Sequence, residues 1–426
     1  MSFSKNQLLK EIFSKKMALC LSLGFASGMP LFVVLTLLGA YLRKEGVNLK
    51  EIGLFSLIMI PYTWKFVWSP LVDRYNLFHL GRRRSWMLIS QIAVFFSIFL
   101  LGQFSPKTSL SVIAVVSVIL SFASATQDIV IDAYRREILT DRELGLGTSL
   151  FITASRASSL VPGGLSLVIA QFLSWSDVFF ITAAFMLPAL VVTFFIKETE
   201  TINAPRNLRQ AIIEPFREFK DRRGLKSMFL IILFVFCYKL GDSMATALAT
   251  PFYIDLHYDL LTIGLVAKNA GLWSMLIGGI LGGVIMLKTG INKALWYFGF
   301  GQLITILGFV ILAHEGIGSD TAPSVFLLAF VIIAECLGAG LGTSAFVAFL
   351  SAQTNKTYAA TQFALLTSLS AVPRTFCNAT TGYIVEFMGW ENFFIFCTVL
   401  AIPGMLLLLK VAPFKSEPKS SNWRGR

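Results

Sequence analysis

Residues 69–84 read SPLVDRYNLFHLGRRR, a polar and basic segment between two apolar stretches. An acidic and a basic residue stand side by side in it, Asp73 and Arg74. It ends in three arginines: Arg82, Arg83 and Arg84. The flanking apolar stretches are each long enough to cross the ~30 Å hydrocarbon core of a membrane as a helix, which takes about 20 residues. We therefore interpret the segment as a connection at a membrane surface.

The composition of the whole chain supports a membrane location. Of 426 residues 55% are apolar and only 14% are charged, with a mean hydropathy of +0.72, whereas soluble domains carry about a quarter charged residues. Apolar stretches recur along the full length and predict twelve transmembrane helices. We place them at 17–42, 52–75, 85–104, 109–133, 147–172, 177–196, 227–254, 262–287, 293–313, 323–350, 358–386 and 391–411.

Basic residues divide unevenly between the two sides of this topology. The side opposite the termini holds only four: Arg43, Lys44, Lys50 and Lys107. Because basic residues concentrate in cytoplasmic connections, we expect both termini in the cytoplasm. The same imbalance accounts for the net charge of +12 without a nucleic-acid partner.

The sequence divides into two similar halves. Helix starts match across them: Trp175, Asp177 and Phe179 correspond to Trp390, Asn392 and Phe394. We predict an all-α membrane protein of twelve helices in two pseudo-symmetric six-helix bundles, which is the usual architecture of a transporter. The predicted parts are bundles at 1–196 and 227–411, a cytoplasmic linker at 197–226 and a tail at 412–426.

Nine ionisable residues lie inside predicted helices. Each costs roughly 2.5 to 3.5 kcal/mol near the bilayer centre, so most must be paired or solvated. The cations are Lys65, Arg156, Lys239, Lys268 and Arg374. The acids are Asp128, Asp132, Asp242 and Glu335.

The spacing of these charges suggests different roles. Asp132 lies three residues before Arg135, which favours a structural ion pair. Asp128 lies one turn deeper with no cation at that spacing, and it is a candidate for proton coupling or substrate binding. Lys239 and Asp242 are three residues apart and can neutralise each other. Glu335 has no cation four residues away, which makes it a second candidate for proton coupling. Asp242 is the third candidate.

Several segments resemble known families. Residues 69–84 resemble the loop motif of the major facilitator superfamily, in which Asp73, Arg74 and the three arginines would act as a gate. The corresponding segment of the second half, GGVIMLKTGINKALW from Gly282, lacks the aspartate.

The chain as a whole resembles the AmpG-type muropeptide permeases. The matching segments are GFASGMP from Gly24, IPYTWKFVWSPLVDRY from Ile60, SATQDIVIDAYR from Ser124, YKLGD from Tyr238, AECLGAGLGTSAFVAFL from Ala334 and NKTYAATQFALLTSLSAVPR from Asn355.

The resemblance implies an inner-membrane permease that imports N-acetylglucosaminyl-1,6-anhydro-N-acetylmuramyl peptides for peptidoglycan recycling. It also implies proton symport and, in inducible bacteria, a supply of the signal for β-lactamase induction. The family-motif positions are Gly28, Gln127, Asp128, Lys239, Asp242, Gln362 and Arg374. Of these we expect Gly28 to be a gating or structural residue. Pro373 departs from the family pattern, where a small residue is expected.

A large anionic disaccharide peptide calls for cations, amides and aromatic faces. The candidate substrate-binding residues are Tyr62, Lys65, Gln127, Arg156, Lys239, Lys268, Asn269, Gln362 and Arg374. We expect no cofactor and no metal, because the five cysteines are dispersed and no H-E-x-x-H motif occurs. The expected partners are muropeptide, protons and the lipid bilayer, with the protein as a monomer. The alternatives are a permease for another anionic metabolite such as acetyl-CoA, a membrane enzyme, and a sensor that binds without transporting.

Overall fold

A computed structural model describes residues 13–47, 55–198, 208–258, 262–317 and 321–414. Every regular element in these ranges is helical, as predicted. The chain forms two compact units. The first comprises 1–140, 150–217 and 354–368, and the second comprises 141–149, 218–353 and 369–426.

The helices follow one another as twelve segments, numbered here in chain order. The first six are Lys15–Phe32 with its continuation Val33–Leu38 and Gly39–Lys44; Phe55–Met59, Ile60–Trp64, Lys65–Val67 and Ser69–Arg74; Arg82–Leu101; Pro106–Ile138; Leu144–Ala157, Val161–Leu165 and Ser166–Ile169; Trp175–Ala184 and Leu187–Phe195.

The second six begin with a helix that includes part of the predicted linker. They are Leu208–Cys237, Leu240–Ala247 and Ala249–Asp255; Ile263–Ala270 and Gly271–Thr289; Ile291–Gly316; Val325–Gln353; and the two parts of Ala359–Val411, separated by Gly389. The backbone angle φ at Gly389 is +76°, which glycine adopts readily.

Ten helices in the described ranges are long and apolar enough to cross a membrane. The second helix does not meet that criterion because it consists of short α and 3-10 pieces. Pro61 and Pro70 each stand at the start of one of these pieces. Proline lacks a backbone donor and clashes with the preceding turn, so it ends one piece and begins the next.

Several predicted boundaries are wrong by a few residues, and the seventh helix begins at Leu208 instead of residue 227. The third helix begins at Arg82 instead of residue 85, and the fourth extends to Ile138 instead of 133. The physical reason for the early start is the cap on the third helix. Glu198, just after the sixth helix, accepts hydrogen bonds from the backbone N–H groups of Arg83 and Arg84, at 2.8 and 3.0 Å. Such a carboxylate satisfies donors that a helix start leaves unpaired.

Small residues allow close packing within each unit. In the first unit, a Cβ atom on Gly28 would collide with Ser155 and Ser158 of the fifth helix. In the second unit, a Cβ atom on Gly340 would collide with the backbone of Met275 in the eighth helix. Close backbone approach at small residues is a common way for membrane helices to associate. It fixes the positions of the polar side chains on the same helices.

Candidate functional site

The first polar centre lies in the first unit and consists of Ser27, Tyr62, Lys65, Ser124 and Asp128. Ser27 Oγ donates to Asp128 Oδ1 at 2.5 Å, and the Tyr62 hydroxyl donates to Ser124 Oγ at 2.6 Å. Lys65 is 8% exposed and interacts electrostatically with Asp128. Lys65 therefore offsets part of the negative charge in this region, where Asp132 and Arg135 also act on Asp128. The proximity of Lys65 to Asp128 could not be predicted from sequence spacing, because the two residues come from different helices.

Several elements converge to build this centre. The fourth helix presents Ser124 and Asp128 four residues apart on one face. The broken second helix brings Tyr62 and Lys65 from two different short pieces. In the first helix Ser27 directly precedes Gly28, so the close approach to the fifth helix positions its hydroxyl.

One helical turn after Asp128, the fourth helix contains the predicted pair of Asp132 and Arg135. Arg135 Nη2 lies 2.9 Å from Asp132 Oδ1, and Arg135 is 1% exposed. Its guanidinium group lies 4.3 Å from the ring centre of Phe151 and 5.6 Å from that of Phe363. Aromatic faces attract a cation that is shielded from water. Asp132 and Arg135 therefore form an ion pair, and its structural role remains a prediction.

The second polar centre lies in the second unit and consists of Lys239, Asp242, Glu335 and Cys336. Lys239 Nζ lies 2.6 Å from Asp242 Oδ2, within one turn. Glu335 is 6% exposed, and it interacts with both Asp242 and Lys239. The Cys336 thiol donates to Glu335 Oε2 at 3.3 Å. Lys239 therefore pairs directly with Asp242, and Glu335 adds a second carboxylate close to this pair.

A break in the seventh helix shapes the second centre. One helical stretch ends at Cys237 and the next begins at Leu240, with Lys239 at φ −104° and ψ 5°. Discontinuous helices are the usual place for ion and substrate sites in transporters, because a break frees backbone groups and redirects side chains. The tenth helix, which supplies Glu335, is continuous from Val325 to Gln353.

The segment 69–84 is the centre of a third group of contacts, all in the first unit. Asp73 is fully buried and accepts hydrogen bonds from Arg83 Nη2 at 2.8 Å and from Thr361, through N at 2.9 Å and Oγ1 at 2.7 Å. Arg83 also contacts Glu137 Oε1 at 2.7 Å, and Arg82 Nη2 lies 3.5 Å from the same atom. The loop carboxylate is therefore tied to residue 361, far along the chain.

The other basic residues of the loop contribute in different ways. Arg74 is half-buried, with its guanidinium group 5.5 Å from the ring centre of Tyr75. Arg84 donates to the carbonyl oxygen of Phe194. These contacts are compatible with the gating role predicted for the segment, which remains a prediction.

The remaining predicted site residues are spread over the chain. Gln127 is fully buried, and neither of its amide atoms has a hydrogen-bond partner in the described residues. Arg156 is half-buried and Asn269 is exposed. Both amide atoms of Gln362 contact the backbone, since Oε1 accepts from Asn355 N at 2.7 Å and Nε2 donates to Pro215 O at 2.9 Å. The side chains of Lys268, Pro373 and Arg374 lie outside the described residues.

Sequence reasoning missed several partners in these groups. Ser27, Glu137, Glu198 and Thr361 come from distant parts of the chain, and no spacing rule links them to Asp128 or to the loop. Cys336 was a detectable exception, because it directly follows Glu335.

Comparison with known proteins identifies the family. The chain matches the Major Facilitator Superfamily over residues 20–376. It is 38% identical to the anhydromuropeptide permease of Escherichia coli over 407 residues, which cover 95% of this chain and 81% of that protein. The chain belongs to the Major Facilitator Superfamily and to the AmpG group within it. The predicted family and fold are confirmed, and the chain is a multi-pass membrane transporter rather than an enzyme.

Other relatives agree with this placement. An uncharacterized protein of Haemophilus influenzae is 45% identical over 97% of this chain and 98% of its own length. The human organic anion transporter MFSD10 superposes with a TM-score of 0.66 at 15% identity, covering 96% of this chain and all of that one. A bacterial homologue of ferroportin in an outward-facing state gives the same TM-score at 16% identity, covering 94% and 99%. At these identities the solved structures support the major facilitator fold alone.

Proposed function

We propose that this protein is a bacterial inner-membrane permease that imports anhydro-muropeptides into the cytoplasm for peptidoglycan recycling. The observation that carries the proposal is the 38% identity to the Escherichia coli anhydromuropeptide permease across 95% of this chain. In a bacterium with inducible β-lactamase the same import would supply the inducing signal.

The chemistry of the first polar centre supports an anionic, sugar-containing cargo. Lys65 supplies a buried positive charge, and the hydroxyl groups of Tyr62 and Ser124 supply hydrogen-bonding capacity beside it. A peptide carboxylate binds an ammonium group through charge-assisted hydrogen bonds. Arg156 and Asn269 remain proposed contributors. Gln362 would have to exchange its present backbone contacts for the cargo.

The second polar centre supports proton coupling. Glu335 and Asp242 together carry one more negative charge than Lys239 compensates. Two carboxylates at close range disfavour double ionisation, so such a site takes up a proton more readily than a balanced pair. We infer that the coupled proton binds to the Glu335 and Asp242 pair, and that Asp128 serves chiefly in substrate binding.

A transport cycle follows from this division of roles. Cargo and proton bind in one conformation and leave in another, and each ligand shifts the equilibrium only through its different affinity for the two states. We propose that the two predicted six-helix bundles alternate access in this way, with both termini in the cytoplasm and with one chain as the transporting unit. The group around Asp73 would stabilise one of the two states.

Uptake by membrane vesicles tests the function. Right-side-out vesicles that contain the protein are given labelled anhydro-muropeptide with and without an imposed inward proton gradient. We expect accumulation above the outside concentration only with the gradient, and competition by unlabelled muropeptide but not by acetyl-CoA. Competition by acetyl-CoA alone would favour the alternative cargo, and accumulation without a gradient would contradict proton symport. Vesicles without the protein provide the background.

A further inference from the structure

The predicted linker contains a helix that does not fit inside the membrane core. The candidate span Ile212–Ala247 has 36 residues, which is about 54 Å at ~1.5 Å per residue. The hydrocarbon core is only ~30 Å thick. The helix also bends at Gly224, where φ is +77°. The part between Leu208 and Gly224 therefore lies outside the core, at the end of the seventh membrane helix.

This outer part of the helix has two chemically different faces. Ile212, Phe216 and Lys220 follow one another at intervals of four and share one face, which Ile213 widens. The three apolar side chains are 46 to 48% exposed, and Lys220 is exposed as well. The acidic residues of this helix stand at another set of positions, which repeat at intervals of four and three: Glu214, Glu218 and Asp221.

Contacts on the other positions fix the orientation of this helix. Tyr358 donates to Glu214 Oε2 at 2.5 Å, and Gln362 donates to the carbonyl oxygen of Pro215 at 2.9 Å. Further along, Arg222 bonds Glu218 at 2.7 Å and the carbonyl oxygen of Gln353 at 2.6 Å. The protein therefore holds Glu214, Pro215 and Arg222, and the apolar and basic face is left outward.

An exposed apolar face with a basic residue, at the edge of a membrane helix, matches the chemistry of a lipid interface. Helices of this type lie in the membrane plane, with apolar side chains at the boundary of the acyl chains and cations at the headgroups. Anionic phospholipid attracts each such lysine by about 1 kcal/mol. We propose that the face formed by Ile212, Ile213, Phe216 and Lys220 binds the adjacent leaflet and prefers anionic phospholipid headgroups.

Spin labels test the position of this face directly. Nitroxides are placed at Ile213→Cys and, as a matched position on the same helix, at Asp221→Cys, after the five native cysteines are replaced. The protein is reconstituted as single copies in nanodiscs that contain phosphatidylglycerol. We expect the label at 213 to be accessible to oxygen and shielded from a water-soluble nickel complex, and the label at 221 to show the reverse. Shielding of position 213 from both reagents, or nickel access at both positions, would overturn the proposal.

A second experiment keeps the native cysteines and does not depend on transport. Thermal unfolding of the purified full-length protein is followed while phosphatidylglycerol or phosphatidylcholine is added. We expect Lys220→Gln to weaken the stabilisation by phosphatidylglycerol, with about a fivefold higher lipid concentration at the midpoint. The control is Lys410→Gln, which removes an exposed lysine at the end of the last helix. Equal effects of the two substitutions, or no effect of Lys220→Gln, would contradict specific binding by this face.

Discussion

Both polar centres include side chains from the first and fourth helices of their predicted halves, but they differ in their charge balance. In the first, one carboxylate, Asp128, faces one ammonium group, Lys65, and a hydroxyl donor from Ser27. In the second, Lys239 pairs directly with Asp242, and Glu335 adds a second carboxylate close to this pair. A balanced centre is stable without further protons, whereas an excess carboxylate in a shielded place favours proton uptake. The roles we propose follow from this difference, with cargo binding in the first half and proton binding in the second.

The largest effect is expected from removing the cation of the second centre. Lys239→Met leaves the buried Glu335 and the half-buried Asp242 without compensation. Breaking a fully buried pair costs about 3 to 5 kcal/mol, and this partly buried pair should approach the lower end of that range. Thermal unfolding of the purified protein measures the loss. Lys65→Met should cost less, because Asp128 is half-buried and keeps the hydrogen bond from Ser27.

The double variant Lys239→Met/Asp242→Asn is the control for this first prediction. It removes one negative charge along with the positive charge, so we expect it to recover most of the lost stability. If the double variant were as unstable as Lys239→Met, the pairing of Lys239 with Asp242 would not be what stabilises the second centre.

Substitution of Glu335 and of Asp128 separates proton coupling from substrate binding. With Glu335→Gln, accumulation driven by a proton gradient should fall at least about tenfold, while exchange of labelled for unlabelled muropeptide persists, because exchange needs no net proton movement. With Asp128→Asn, both accumulation and exchange should fall. Both the gradient-driven accumulation and the rate of exchange are measured in the same proteoliposomes.

An exposed carboxylate outside both centres controls this comparison. Glu315→Gln neutralises an exposed acid at the end of the ninth helix and should leave both rates unchanged. Loss of exchange in Glu335→Gln, with intact gradient-driven accumulation in Asp128→Asn, would reverse the roles assigned to the two centres.

Helix packing gives a smaller, structural test of the first centre alone. Gly28→Ala adds a Cβ atom that collides with Ser155 and displaces the neighbouring Ser27 from Asp128. Overpacking of this kind costs about 1 to 3 kcal/mol. Gly39→Ala on the continuation of the same helix meets no atom within 4 Å and serves as the control. Equal stability of both variants in thermal unfolding would show that the first helix has room to adjust.

Much of the fold could be predicted from the sequence because it depends on length and polarity. Apolar stretches of about 20 residues predict membrane helices by their physical length. Pairs within one helix, such as Lys239 with Asp242 and Asp132 with Arg135, follow from the helical repeat. These local features are present in the structure at 2.6 and 2.9 Å.

The contacts that complete the candidate site could not be predicted in this way. The hydrogen bond from Ser27 to Asp128 joins residues 101 positions apart, and that from Thr361 to Asp73 joins residues 288 positions apart. Such contacts depend on which helices pack together and on their register, and a single sequence does not specify either. The early start of the third helix has the same cause, because its cap, Glu198, comes from the segment just after the sixth helix.

The smallest effects are expected from removing the neutral hydrogen-bond donors to Asp128 and Glu335. Ser27→Ala removes an O–H donor at 2.5 Å and should lower muropeptide uptake about fivefold, since water replaces only part of a hydrogen bond to a half-buried carboxylate. Cys336→Ala removes a thiol at 3.3 Å, and a thiol is a weak donor, so uptake should change by less than about twofold. The initial rate of muropeptide uptake at a saturating proton gradient is measured for both variants. A larger loss in Cys336→Ala than in Ser27→Ala would show that Glu335 depends on its neighbouring thiol more than on its charged partners.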